Sequence, residues 1–287
     1  MPIWKCGRFE LPLGDKTYVM GIVNVTLDSF SGDGVLRNAA IAHARQLVFE
    51  GADILDIGGE STRPGASKIS LAEECERVIP LVEILAREIE IPISVDTTKA
   101  EVARLALAAG ASIINDISGA TFDDAMLGVL GARDCGVILM HLRGTPQAMD
   151  WSTRVGESEN AKNDLIAEIQ DFWRKRVTAA KIAGVNKNRI CLDAGFGFGK
   201  SLAENLEILR RGRELRHFDE FNLWPILSGT SRKSTIGRVL HEENSSARIW
   251  GTAATVAVAI QNGADLIRVH DVREMAQVAR MTDAIVR

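Results

Sequence analysis

Short hydrophobic runs recur along this chain, and each closes on a polar residue just before a loop. They end at Asn24 (VMGIVN), Asp56 (ILD), Asp96 (IPISVD), Asn115 (SIIN), His141 (VILMH), Asp193 (ICLD) and Ser228 (WPILS). The last, LIRVH, carries Arg268 and His270 at alternate positions. Amphipathic stretches of helical length separate the runs. Eight strand–helix units with a polar group at each strand end predict a (β/α)8 barrel with its chemistry at the carboxyl-terminal mouth.

The punctuation agrees with that reading. Residues 1–17 predict a short hairpin capping the barrel bottom, with turn signals at Gly7 and Gly14-Asp15. A first strand at about Tyr18–Val25 leads to a long loop, TLDSFSGDG, and a helix from about Asn38 to Glu50, stopped by Gly51. The second strand ends at Asp56, and its loop, GGESTRPGASKIS, is again long. Ser70 with Glu73 three residues on is a capping signal for a helix to about Glu88. Asp96-Thr97 is expected to cap a helix beginning near Lys99 and closed by Gly110. A long helix is expected at about Asn160–Ala183, another from Leu202, and a last one ending near Arg287. The long loops gather on one face, where a barrel carries function. The 287 residues fit one domain of barrel size, and no compositional break divides them.

Composition narrows the partners. The chain is 46% hydrophobic, 25% charged and only 5% aromatic, which suits helices packed on parallel strands. Net charge is −4 without a basic run, so neither nucleic acid nor an anionic membrane is an expected partner. No apolar run approaches the roughly 20 residues that cross a bilayer, and the N-terminus lacks a signal-peptide core. Cys6, Cys75, Cys135 and Cys191 are scattered and read as reduced, mostly buried thiols of a cytoplasmic protein.

The polar strand ends carry the candidate chemistry. Asn24 and Asp28 either hold Mg²⁺ with help from water and phosphate, or stabilise their loop through Asx turns. Asp96, Asn115 and Asp193 either converge on a pocket for a ligand with adjacent N–H groups, or cap the helices that follow. DAGFGFGK resembles a phosphate loop only superficially, because its spacing is wrong; its glycines permit sharp turns and close approach of a flat ligand. Ser231-Arg232-Lys233 is expected to open a helix favourable to an anion. Arg268 and His270 either bind a phosphate or form a salt bridge and a core hydrogen bond.

In order along the chain, MGIVNVTLDSFS, DIGGESTRPGA, ISVDTTK, IINDISG, MHLRGTP, DAGFGFGKSLAEN, SGTSRKS and GADLIRVHDV resemble the dihydropteroate synthase family over almost the whole length. DIGGESTRPGA and SRKS are especially specific. The resemblance implies a (β/α)8 barrel, commonly dimeric, that joins 6-hydroxymethyl-7,8-dihydropterin diphosphate to p-aminobenzoate with Mg²⁺. It implies that Asn24 ligates Mg²⁺ and that Asp96, Asn115, Asp193 and Lys233 hold the pterin. It implies that Asn24, Thr62, Arg268 and His270 bind the diphosphate. It assigns Phe30, Thr62, Arg63, Pro64 and Ser231 to p-aminobenzoate, and catalytic roles to Asp28, Lys233 and Arg268.

Two family prolines are replaced, by Leu27 in the first loop and by Ala194 in DAGFGFGK. Gly32-Asp33-Gly34 also departs from the usual tail of that loop. Losing a fixed φ at Leu27 is expected to alter loop kinetics rather than abolish activity. Methyltetrahydrofolate methyltransferases share the barrel and several pterin residues but lack the SRKS and RVH features; a non-catalytic paralogue would have lost Asn24, Lys233 or Arg268.

Overall fold

A computed structural model describes residues 2–25, 33–61, 67–146, 164–216 and 223–287. Leu27, Asp28, Ser29, Phe30, Thr62, Arg63 and Pro64 lie outside the described residues.

Eight parallel strands close into a barrel: β3 (Tyr18–Asn24), β4 (Ile54–Gly58), β5 (Ile93–Asp96), β6 (Ile113–Asp116), β7 (Gly136–Met140), β8 (Ile190–Asp193), β9 (Ile226–Ser228) and β10 (Leu266–Val269). Each pairs with its neighbours in chain order, and β10 closes on β3 with Arg268 opposite Met20. The expected hairpin is present as β1 (Ile3–Cys6) paired antiparallel with β2 (Phe9–Pro12), and Gly7 takes φ 61 in its turn.

Successive residues of a strand face opposite ways, so each barrel strand sorts its own side chains. One set joins the helices α1 (Asp33–Phe49), α2 (Leu71–Glu88), α3 (Ala100–Ala109), α4 (Met126–Gly131), α5 (Leu165–Ile182), α6 (Leu202–Arg210), α7 (Gly212–Leu215), α8 (Ser234–Leu240), α9 (Ile249–Gln261) and α10 (Val272–Val286). Leu55, Ile57, Val95, Ile114, Val137 and Leu192 belong to that outer core. The inward set begins with Met20, Ile54, Ile113, Ile138, Cys191, Leu227 and Leu266. These form one cluster with Trp4, Cys6, Leu11 and Leu13 of the hairpin region. Burying an aliphatic side chain of this size is worth roughly 1.5–3 kcal/mol, so the hairpin is held as a plug. Trp4 also donates Nε1–H to Arg189 O at 2.8 Å.

Several boundaries differ from expectation. β4 runs past Asp56 to Gly58, and α1 begins at Asp33 rather than near Asn38. α5 begins at Leu165, where Asp164 accepts from Ile166 N, and not near Asn160. Ser70 does cap α2, accepting from Glu73 N, and Gly110 closes α3 at φ 115. Of the expected Asp96-Thr97 cap of α3, Thr97 Oγ1 accepts from Lys99 N at 3.2 Å, whereas Asp96 turns to Arg268 and Asp123 Oδ2 accepts from Ala100 N at 2.8 Å. Ser231-Arg232-Lys233 leads directly into a helix, as expected. α8 begins at Ser234, with Lys233 at its N-cap.

Candidate active site

Two residues further along the inward face, small or apolar side chains give way to larger polar ones. Ile54 is followed by Asp56, Ser94 by Asp96, Ile113 by Asn115, Cys191 by Asp193 and Leu266 by Arg268. The alternation that builds the plug therefore also builds a polar floor at the mouth.

Arg268 organises that floor. Its Nε meets Asp56 Oδ2 at 2.5 Å and its Nη2 meets Asp96 Oδ2 at 2.8 Å. Asn115 Nδ2 donates to the same Asp56 oxygen at 3.1 Å. The salt bridge expected of Arg268 is present: the two carboxylates fix its guanidinium while 22% of the side chain stays open to the mouth. Burial works against the arginine's charge, but the two carboxylates more than restore it, and its pKa lies above the usual value. Asp96 is pushed up to about 7, chiefly by burial, with Arg268 opposing and Asp56 adding to the rise.

Asp193 faces Lys233 across the floor. Its Oδ1 accepts from Gly195 N at 2.7 Å, and burial raises its pKa against the pull of Lys233. Lys233 donates to Phe196 O and stands 4.4 Å from the Phe198 ring centroid. Burial brings its ammonium down to about 7, with Asp193 opposing. Gly197 lies at φ 81, and a Cβ there would sit 2.8 Å from Lys233 Cδ. Glycine is what lets the lysine stem cross the loop.

Ser231 and His270 form the third side. Ser231 Oγ lies 3.0 Å from His270 Nδ1 and accepts from His270 N at 3.2 Å. Arg232, at φ 57, turns away to pair with Asp271. Asn24 is exposed at the end of β3. A Cβ on Gly58 would lie 4.0 Å from both Asn24 Oδ1 and Asp96 Oδ2, so the glycine leaves a cradle between two oxygens. A cavity of about 840 Å³ lies to one side and reaches the floor at Asp96, lined also by Glu60, Thr97, Lys99, Phe122 and Pro146.

The structure thus gathers Asn24, Asp96, Asn115, Asp193, Ser231, Lys233, Arg268 and His270 at one mouth. Asp28, Phe30, Thr62, Arg63 and Pro64 are outside the described residues. Asp56 was visible as a strand end but not as a site residue; its signal was the same alternation that marked Asp96. A floor of one amide, three carboxylates and two cations suits a flat ligand with N–H and carbonyl edges that carries an anionic tail.

The sequence matches the pterin binding enzyme family over residues 20–270, and the chain belongs to that family. Its relatives include several dihydropteroate synthases. The dihydropteroate synthase of Synechocystis is 48% identical, with 98% of this chain and 94% of that protein covered. The Clostridium difficile dihydropteroate synthase, solved in the presence of pteroic acid, superposes with a TM-score of 0.87 at 45% identity, covering 96% of this chain and 99% of that one. The Burkholderia cenocepacia enzyme, complexed with 7,8-dihydropteroate, gives 0.85 at 39%, covering 99% and 96%. Among the described residues no helix is long and apolar enough to cross a membrane, and all four cysteines are free.

Proposed function

We propose that this chain is a dihydropteroate synthase, joining 6-hydroxymethyl-7,8-dihydropterin diphosphate to p-aminobenzoate and releasing diphosphate. The observation that carries this reading is the polar floor of Asp96, Asn115, Asp193, Lys233 and Arg268. Asp193 accepts from the 2-amino and N3 edge of the pterin, and Asn115 and Asp96 complete the edge contacts. Lys233 donates to the carbonyl and ring-nitrogen side.

The aniline nitrogen forms the new C–N bond at the pterin methylene, while the C–O bond breaks and its electron pair leaves with diphosphate. The aniline then loses a proton. An aniline is a weak nucleophile, so departure dominates the barrier. Arg268 and His270 meet the growing negative charge, with Arg268 already oriented by two carboxylates. Ser231 receives the p-aminobenzoate carboxylate. Phe30, Thr62, Arg63 and Pro64 are assigned by resemblance to the same substrate, Thr62 also to the diphosphate, and Asp28 to stabilising positive charge at the methylene.

Mg²⁺ belongs to this reading. The described residues hold no cluster of three or more His, Cys, Asp or Glu side chains. The cradle between Asn24 and Asp96 fits an ion that keeps few protein ligands and takes phosphate oxygens. Asn24 would hold it, and when bound it supplies charge neutralisation to the diphosphate.

The single-domain, cytoplasmic homodimer is part of the proposal. Trp250 and Val258 on α9, with Met281 and Ile285 on the adjacent α10, are exposed and offer an apolar face for a second copy. Sedimentation at micromolar concentration tests it. The activity is tested by diphosphate release, expected only when both substrates and Mg²⁺ are present; release without p-aminobenzoate would sink the reading.

A further inference from the structure

Lys200 ends the glycine-rich segment, and no role above uses it. Its side chain is 1% exposed. Its Nζ donates to Gly195 O at 2.9 Å, Phe198 O at 3.1 Å and His141 O at 3.3 Å. All three acceptors are neutral. Burying an ammonium on neutral acceptors is costly, and its pKa is lowered to about 7, chiefly by burial. A methionine would fill a similar volume without that cost. What the ammonium adds is the gathering of carbonyls.

The carbonyls it gathers bracket the site. Gly195 O and Phe198 O lie on either side of Phe196, whose own carbonyl accepts from Lys233. Two lysines thus divide the carbonyls of one loop. On the N–H side, Asn205 Oδ1 accepts from Gly197 N at 2.5 Å, and Asn205 Nδ2 donates to Lys200 O at 3.0 Å. Gly195, Gly197 and Gly199 all have positive φ, at 66, 81 and 66. Glycines hold such a path with little preference of their own, so the path must be imposed by partners. His141 O ties the same ammonium to the end of β7.

We propose that Lys200 is a positioning residue for the pterin site: it fixes the Gly195–Phe198 peptides so that Phe196 O and the Phe198 ring seat Lys233 beside Asp193. It touches no substrate. The inference rests on the pterin reading of the site.

The test is a double-mutant cycle read by calorimetric binding of 6-hydroxymethyl-7,8-dihydropterin diphosphate. Lys200→Met is expected to fold, by circular dichroism and melting, and to bind about tenfold more weakly or worse, the loss of one charged hydrogen bond. In a Lys233→Met background the same change is expected to cost less than about twofold, because its effect runs through Lys233. Lys200→Gln, which keeps two donors, should recover part of the affinity, and the KM for p-aminobenzoate at saturating pterin should stay nearly constant. Wild-type affinity in a folded Lys200 variant, additive losses in the cycle, or failure of both Lys200 variants to fold each overturns the proposal. If the unmutated protein does not bind the pterin, it is the functional reading that has failed.

Discussion

Asp56→Asn keeps the shape of a buried side chain and removes its charge. Asp56 is fully buried, and its Oδ2 serves both Arg268 and Asn115. Its Oδ1 has no hydrogen-bond partner. An asparagine can leave its carbonyl oxygen in the Oδ2 position, so both contacts survive geometrically. The charge assistance to Arg268 is lost, about 1–1.5 kcal/mol from the difference between charged and neutral hydrogen bonds. The new amide group is buried without an acceptor, which costs roughly 1–3 kcal/mol more. The sum is about 2–4 kcal/mol. A barrel of this size has an unfolding entropy near 0.6 kcal/mol/K, so Tm should fall by roughly 3–7 °C.

Asp96→Asn touches the same arginine with a different result. Burial already holds Asp96 up to about 7, so removing its charge recovers desolvation. At Asp96 the folded protein binds more proton than the unfolded chain between about pH 4 and pH 7. The contribution of this carboxyl to stability therefore falls as pH rises through that window, and the variant escapes that fall. Scanning calorimetry at pH 5 and pH 8 is the assay. Asp96→Asn should gain on wild type from pH 5 to pH 8 and lose less than Asp56→Asn at pH 8. The reverse order at pH 8 would refute this account of how the two carboxylates share Arg268.

Other substitutions address the pterin side. Asp193→Asn should keep the fold and abolish pterin diphosphate binding, since a donor would face donors at a loss of about 1.5–3 kcal/mol per bond; wild-type affinity by calorimetry would leave Asp193 only a turn residue. Gly197→Ala puts a Cβ against Lys233 Cδ at positive φ, costing roughly 1–3 kcal/mol, and should weaken pterin binding more than it lowers Tm. Lys233, brought down to about 7 by burial, should take up a proton when the anionic ligand arrives. Affinity should fall as pH rises from 7.5 to 9, and Lys233→Met should flatten that slope; a flat wild-type profile contradicts the assignment.

The eight strands were legible because outward apolar residues alternate with an inward set that in most of them turns polar at its end. Ser70 and Gly110 were legible because capping is local. The start of α5 was not: Asp164 sits among several polar residues, and only the hydrogen bond to Ile166 N selects it. Asp96 could be read as a cap as well as a pocket residue, since its partner Arg268 is 172 positions away. Lys200 could not be read at all, because its three carbonyls converge only when the loop after β8 packs on the end of β7.

The hairpin plug has a consequence for traffic. With Trp4, Cys6, Leu11 and Leu13 sealing the amino-terminal end, the barrel is a well with one opening. Whatever rests on Asn115 and Asp193 sits at the bottom of that well, against a wall of hydrocarbon. Anything bound above it stands in its only path. The deepest ligand must therefore be the first to enter and the last to leave, an order imposed by the closed end of the fold and independent of how the loops at the rim behave.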